Sequence, residues 1–459
     1  MGTPLWRGCC GLIFSVLGCQ ALLLGAEPSA DWQAGVAAVR ITPPKPVPLA
    51  GYAARTKPFT SVEQEIEAKS LALKDAQGNT AVLITLDLCI LPPDVGQEVR
   101  SRIAEKTHLE PAAILLNVAH SHSAPAVGLH PTTGPSQPNP TEAGTIEYTK
   151  WLEDRIVESA EQSIANLRPA KLSWGTGVCS FVMNRRQFTE KGVILGVNPR
   201  GLVDRSVPVL RIDGADGKPR AILFGYACHN TTNPSSSLAV GGDYEGYAKS
   251  YVQEHVPGAM ALYMTGCAGD SNPFPRVHPE DARKHGAELG EEVCRVLETK
   301  LTPVHGPLKC AMITADLPLQ TPGRESLQEM TTSTNGLKKQ YAKESLAVLD
   351  AGAKLPGSYH PPVEAWQFGT DLTLVALPDE VVVAYLQDLE RAIGPLKLWV
   401  AGYCQEVAGY IPSERILHEG GYETRGLYIG TGWFAPGVEE SLVKAATEAA
   451  EKAGRTASH

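Results

Sequence analysis

Two histidines separated by one residue, His120 and His122, follow the apolar run Ala113–Val118. Were the strand geometry of that run to continue, alternate side chains would share a face and both rings would look the same way. Two imidazoles so placed can hold one metal ion between them. Alternatively, one can bind metal while the other moves protons. The plainer reading is a pair of satisfied histidines in a loop, because a motif this short also arises by chance. A second histidine, His229, also sits directly after an apolar run, Ala221–Cys228. The metallo-β-lactamase pattern His-x-His-x-Asp-His is excluded, since Ala124 and Pro125 stand in its last two places.

The elements that must carry these residues alternate strands with hairpins and helices. Gly35–Pro43, Ser70–Lys74, Thr80–Cys89, Ala113–Val118, Lys171–Gly175, Val207–Ile212, Ala221–Cys228, Ala259–Met264, Leu308–Leu317, Leu372–Leu377 and Leu396–Ala401 read as strands. Asp75-Ala76-Gln77-Gly78-Asn79 and Asp213-Gly214-Ala215-Asp216-Gly217 read as hairpin turns. Helices are expected over Asp94–Lys106, Ile146–Leu167, Pro279–Lys300, Val381–Ile393 and Val438–Ala453, and one opens at Asp243 with that residue as its N-cap. Asn184-Arg185-Arg186 reads as a turn, 128–139 as a loop over the site, and 403–430 as a long loop rich in Gly and Tyr. The polar stretch 320–362 reads as a surface insertion. Hairpins mixed with helices, and no internal repeat, point to an α+β fold: a single domain with a large mixed β-sheet core and flanking helices. Its expected extent is 27–435, followed by a C-terminal helix and tail over 436–459.

Arg7 and the apolar stretch Gly11–Leu24 read as a secretory signal peptide over 1–26, so the protein is expected to be exported, to the periplasm or beyond the cell. Three of the ten cysteines (Cys9, Cys10, Cys19) fall in that segment, which leaves seven. They are scattered, without a CxxC pair, and this argues against a cysteine zinc site. The net charge of −9, with no basic run, excludes a nucleic-acid partner.

Several strand-end motifs together resemble the N-terminal catalytic domain of neutral/alkaline non-lysosomal ceramidases. They are Gly35–Pro43, Leu86-Asp87-Leu88, His120-Ser121-His122-Ser123, Asn184-Arg185, His229-Asn230-Thr231, Gly242-Asp243, Gly269-Asp270, Leu377-Pro378-Asp379-Glu380, Tyr410 and Tyr422-Glu423. The resemblance implies one catalytic Zn2+ held by His120, His229, Glu380 and Tyr410. It also implies His122 as a proton shuttle and Arg185 and Tyr422 lining the reaction pocket. The activity implied is hydrolysis of an N-acyl amide, ceramide-like, to a fatty acid and a sphingoid base. A lipid amide substrate also leaves room for contact with a membrane surface. Taken singly, each residue has a plainer role: Glu380 a first-turn helix carboxylate, Tyr410 packing, Arg185 a surface ion pair, Asp243 a cap. The chain departs from the family at Gly269-Asp270-Ser271-Asn272-Pro273, where Asn272 stands in place of the serine before the proline. An immunoglobulin-like C-terminal domain is not expected after Tyr422-Glu423. The rival readings are a metallohydrolase of an ester, phosphate or sugar amide, and an exported binding protein with a remnant zinc site.

Overall fold

The computed structural model describes residues 1–3, 31–55, 57–129, 143–429 and 432–456. The expected signal segment, from residue 4 on, and most of the 128–139 loop lie outside these residues.

Two sheets face each other. In the larger, the strand order is Met260–Thr265, Pro219–Tyr226, Ser206–Gly214, Arg168–Val178, Trp32–Arg40, Glu67–Asp75, Thr80–Leu86, Ile114–Val118, with Thr302–Val304 added beside Arg168–Val178. Its two end pairs are parallel and the pairs between them antiparallel, so the sheet is mixed as expected. The second sheet, Leu308–Thr314, Pro362–Phe368, Leu372–Ala376, Leu398–Ala401, is also mixed. The hairpin at Asp75 forms because its carboxylate accepts from the backbone N–H groups of Gln77 and Asn79, both at 2.9 Å. Gly78 supplies the positive φ of 95° that the turn requires.

The apolar run 114–118 lacks alternation because both of its faces are covered. Leu115 joins Leu71, Leu83 and Leu223 against Trp366, Phe368 and Trp399 of the second sheet. Ile114, Leu116 and Val118 face the helices Pro93–Thr107 and Ala143–Ala165, through Val99, Ile103, Leu152 and Ile156. Each such side chain contributes about 1.5–3 kcal/mol on burial. Helices Asp243–His255 and Pro279–Leu297 cover the other half of the large sheet. Ala384–Ile393 and Val438–Ala453 cover the second sheet. The result is helices, sheet, sheet, helices.

The end strands of the large sheet come back toward one another. Asn117, buried near the end of Ile114–Val118, accepts from Thr265 N at 3.0 Å and donates to Gly402 O at 2.8 Å. This gathers the C-terminal ends of strands from both sheets at one place, the position that open α/β sheets use for ligands.

Three local expectations are corrected. Residues 184–186 lie within the strand Val182–Thr189, which pairs with Gly192–Asn198 and Ser271–Pro273. Asp243 is not an N-cap: Gly242 flanks the helix without a side-chain cap, and the Asp243 carboxylate ties Asn233 N (2.8 Å) to Tyr244 N (2.7 Å). The helix expected from Val381 starts at Ala384, because Glu380–Val381 pair in parallel with Tyr410–Ile411. Glu380 is therefore no helix-end carboxylate. Within 320–362, helices Arg324–Met330 and Gly336–Asp350 share a small cluster around Leu327, Tyr341 and Ala342. That cluster meets the rest through Tyr341 stacked on Trp433. The seven described cysteines are all free.

Candidate metal centre and active site

His120 follows strand Ile114–Val118 but leaves strand geometry at once, with φ 63°. His120 and His122 therefore converge by a sharp bend rather than by alternation along a strand, and their Nε2 atoms lie 3.1 Å apart. His229 follows Pro219–Tyr226, and Ser121 and Asn230 form a parallel bridge that aligns the two strand ends. Glu380 follows Leu372–Ala376. Its Oε2 lies 3.1 Å from His120 Nε2 and 3.0 Å from His229 Nε2. Tyr410 Oη is 3.4 Å from His229 Nε2. Four side chains from distant parts of the sequence thus reach a common point, and all four are buried.

The second nitrogens of both histidines are engaged. His120 Nδ1 donates to Cys89 O at 2.7 Å and His229 Nδ1 to Ala268 O at 2.8 Å. This directs both Nε2 atoms toward Glu380, the arrangement that metal-binding histidines use. Burial works against charge at Glu380, yet His120 and His229 outweigh it and hold the carboxylate well below its usual range. Burial likewise opposes charge on His120, but Glu380 overrides it and raises the imidazole to about 10. His229 goes the other way: burial and the Arg185 guanidinium push it down to about 3. Glu380 thus stays ionised, balanced by a proton on His120 that an ion between the rings would replace. Two imidazole nitrogens, a carboxylate and a phenol form a donor set that fits zinc, and His120, His229 and Glu380 offer ligand atoms within 4.8 Å of one another.

The surrounding residues fix this arrangement. Asp379, at φ 60°, accepts from Ala408 N and Gly409 N, while Glu380 N donates to Gly409 O at 3.0 Å. The Glu380 and Tyr410 segments are thereby locked side by side. Left-handed backbone at His120 and Asp379 costs about 1–3 kcal/mol each, held by the packing around it. Tyr428 Oη donates to Glu380 Oε1 at 3.0 Å. His122 is pressed against Gly51, where a Cβ would come within 2.4 Å of the ring, so that position needs glycine. Burial and the neighbouring His120 lower His122 well below an ordinary histidine.

Arg185 is buried. It donates to Glu423 at 2.8 Å and, through Nη1, to His229 Nε2 at 3.0 Å, and it lies over the Tyr410 and Tyr422 rings. Glu423 also binds Arg186, so one carboxylate holds two arginines. Tyr422 Oη accepts from Arg425 at 2.5 Å.

A cavity of about 490 Å³ opens onto the centre, lined by His122, Arg185, Tyr410 and Tyr422 together with the apolar Leu195, Val197, Phe274 and Val277. A smaller one of about 110 Å³ continues to His120 and Glu380. All seven residues singled out in the sequence therefore gather at one site, His229 included through its contacts with Glu380 and Arg185. Asn272 lines the larger cavity and accepts from Thr231 Oγ1 at 3.3 Å, whereas Ser271 is buried away from it. Tyr428, Arg425 and Cys89 also border the site and were not anticipated. The density of tyrosine and glycine over 403–430 was the available signal for the first two; Cys89 ends an apolar run and carried none.

The family described as neutral/alkaline non-lysosomal ceramidase, N-terminal, matches residues 32–268, just over half of the 459 residues. The chain is 26% identical over 257 residues to neutral ceramidase B of Dictyostelium discoideum, spanning 50% of this chain and 34% of the relative. It is 24% identical over 279 residues to neutral ceramidase of Pseudomonas aeruginosa, spanning 58% of this chain and 41% of the relative. The matched stretches thus span well under half of these relatives' length. The crystal structure of neutral ceramidase from Pseudomonas aeruginosa superposes with a TM-score of 0.70 at 18% identity, covering 93% of this chain and 75% of that one. A ceramidase complexed with C2 gives the same TM-score at 17% identity, covering 94% and 76%. The fold is shared with these structures.

Proposed function

The chain belongs to the neutral/alkaline non-lysosomal ceramidase family, and from that premise we propose that it is an exported zinc-dependent amidohydrolase cleaving an N-acyl lipid of the ceramide class. The observation that carries the reading is the convergence of His120 Nε2, His229 Nε2 and Glu380 Oε2 at 3.0–3.1 Å at the end of a largely apolar cavity. His120, His229, Glu380 and Tyr410 would hold the ion. Zinc, when bound, supplies a Lewis acid and lowers the pKa of water, so that amide attack proceeds near neutral pH.

The chain's own residues do the rest. Glu423 fixes the Arg185 guanidinium, and Arg425 fixes the Tyr422 hydroxyl, both facing the cavity. These two donors suit the carbonyl oxygen as it gains negative charge, a role worth about 10²–10³ in rate per donor. His122, at the cavity wall with its Nε2 3.1 Å from His120 Nε2, is placed to take a proton and pass it to the leaving amine. Leu195, Val197, Phe274 and Val277 offer apolar surface to an alkyl chain.

The test is metal analysis together with turnover of a fluorescent N-acylsphingosine by the wild type and by His120→Ala, beside a panel of ester and phosphate substrates. The reading expects amide turnover by the wild type alone. Equal turnover in both, or turnover confined to esters or phosphates, removes it.

A further inference from the structure

Exposed apolar side chains are concentrated at one place. Beyond Met1, nine large apolar residues are exposed among the described residues, and six of them (Phe188, Ile194, Leu195, Val197, Phe274 and Val277) lie on two neighbouring segments at the mouth of the 490 Å³ cavity. The ribbon Val182–Thr189/Gly192–Asn198 carries four, and the loop after Ser271–Pro273 carries the other two. One three-stranded sheet joins ribbon and loop.

The register orders these residues. Phe188 pairs with Val193 and Arg186 with Leu195, so Phe188, Val193 and Leu195 share a face, while a register shift before Asn198 interrupts the alternation at Val197. Leu195 and Val197 also line the cavity. An apolar stripe therefore runs from near the ribbon tip to the cavity mouth. Ile194 points from the opposite face and is 47% exposed, against 56% for Phe188. A ribbon apolar on both faces near its tip suits a medium that surrounds it better than a flat partner that covers one side. The tip, Glu190-Lys191 before Gly192 at φ 102°, is polar and exposed, suited to a headgroup layer. Contiguous exposed apolar surface of this kind marks an interaction site.

We propose that the ribbon and the Phe274–Val277 loop insert into the surface layer of a phospholipid membrane, and that an acyl chain enters the cavity past Leu195. The proposal rests on the lipid-amide reading above. Neither Phe188 nor Ile194 lines the cavity, so both can be altered without touching the site.

The experiment uses the full chain and phosphatidylcholine vesicles in a flotation assay, with the wild type and the double variant Phe188→Ser/Ile194→Ser. Thermal melting and turnover of a water-soluble short-chain N-acyl amide serve as controls. The wild type should float with the vesicles and the double variant should bind at least about tenfold more weakly, with melting and soluble-amide turnover unchanged. Equal binding by both, no binding by the wild type, or a wild-type dimer that the double variant abolishes would overturn the proposal; the last would assign the face to a second copy. A wild type that floats yet hydrolyses no amide would leave the docking surface standing and sink the enzyme reading instead.

Discussion

Glu380 and Glu245 are both sealed inside the protein, and their charges are met in opposite ways. Glu245 pairs with Lys249 at 2.8 Å; Lys249 also binds Asp87, and Lys69 stands close by, paired to Glu67 at 3.2 Å. Covalently tethered cations complete that cluster. Burial, with Asp87 beside it and Lys249 opposing, pushes Glu245 up to about 8. Glu380 has no lysine; it faces two imidazole nitrogens and is held well below its usual range. A carboxylate covered by lysine is finished as a structure. One covered by imidazoles and tyrosines sits beside His120, whose proton an ion can replace, and that makes it a site.

The largest effect expected from breaking this contrast is at Glu380→Gln. It should abolish metal binding and lower amide turnover by more than the roughly 10²–10³ of losing one oxyanion donor, with the folded chain retained by circular dichroism. Lys249→Met should do the reverse. It strands Asp87 and Glu245 in the interior, so urea titration should show about 3–5 kcal/mol lost, while the zinc content of the folded fraction stays the same. Tyr428→Phe removes the hydroxyl that orients Glu380 Oε1. Zinc affinity should fall about 10–100-fold, read by competition with a chromophoric chelator.

Asp270 sharpens the comparison from a third side. It is buried, held by Asn184 Nδ2 at 3.1 Å and Val383 N at 2.9 Å, and burial pushes it up to about 6 from 3.8. Because its folded pKa lies above its unfolded one, its contribution to stability is complete below about pH 4 and lost as pH rises through 6. Asp270→Asn should flatten the stability profile between those values by at most about 3 kcal/mol, measured by urea unfolding at each pH. The smallest effect is expected at the exposed pair Arg40–Glu65, 3.5 Å apart. There Arg40→Ala should change stability by less than about 0.5 kcal/mol.

Strands such as Ile114–Val118 were legible because burial on both faces writes an unbroken apolar run, and helix Val438–Ala453 because its apolar stripe keeps helical period. Two facing sheets were not, since no local pattern records which apolar face meets which. The histidines were found by their position after apolar runs, but the bend that joins them depends on φ 63° at His120, which spacing does not encode. Glu380 and Tyr410 entered through resemblance alone; their pairing as adjacent parallel strands is a tertiary fact. Arg185 looked like a turn residue because three polar residues in a row resemble a loop, whereas the buried Glu423 supplies the partner that lets arginine lie within a covered strand. Tyr428 and Arg425 came from a stretch read only as loop.

The account stands most directly on zinc stoichiometry, measured on folded wild type and on His120→Ala by elemental analysis after dialysis against chelator and reloading with the ion. It predicts one zinc per wild-type chain, regained together with amide turnover, and none in the variant. Full turnover in the chelated wild type, or an equal zinc content in His120→Ala, would contradict it.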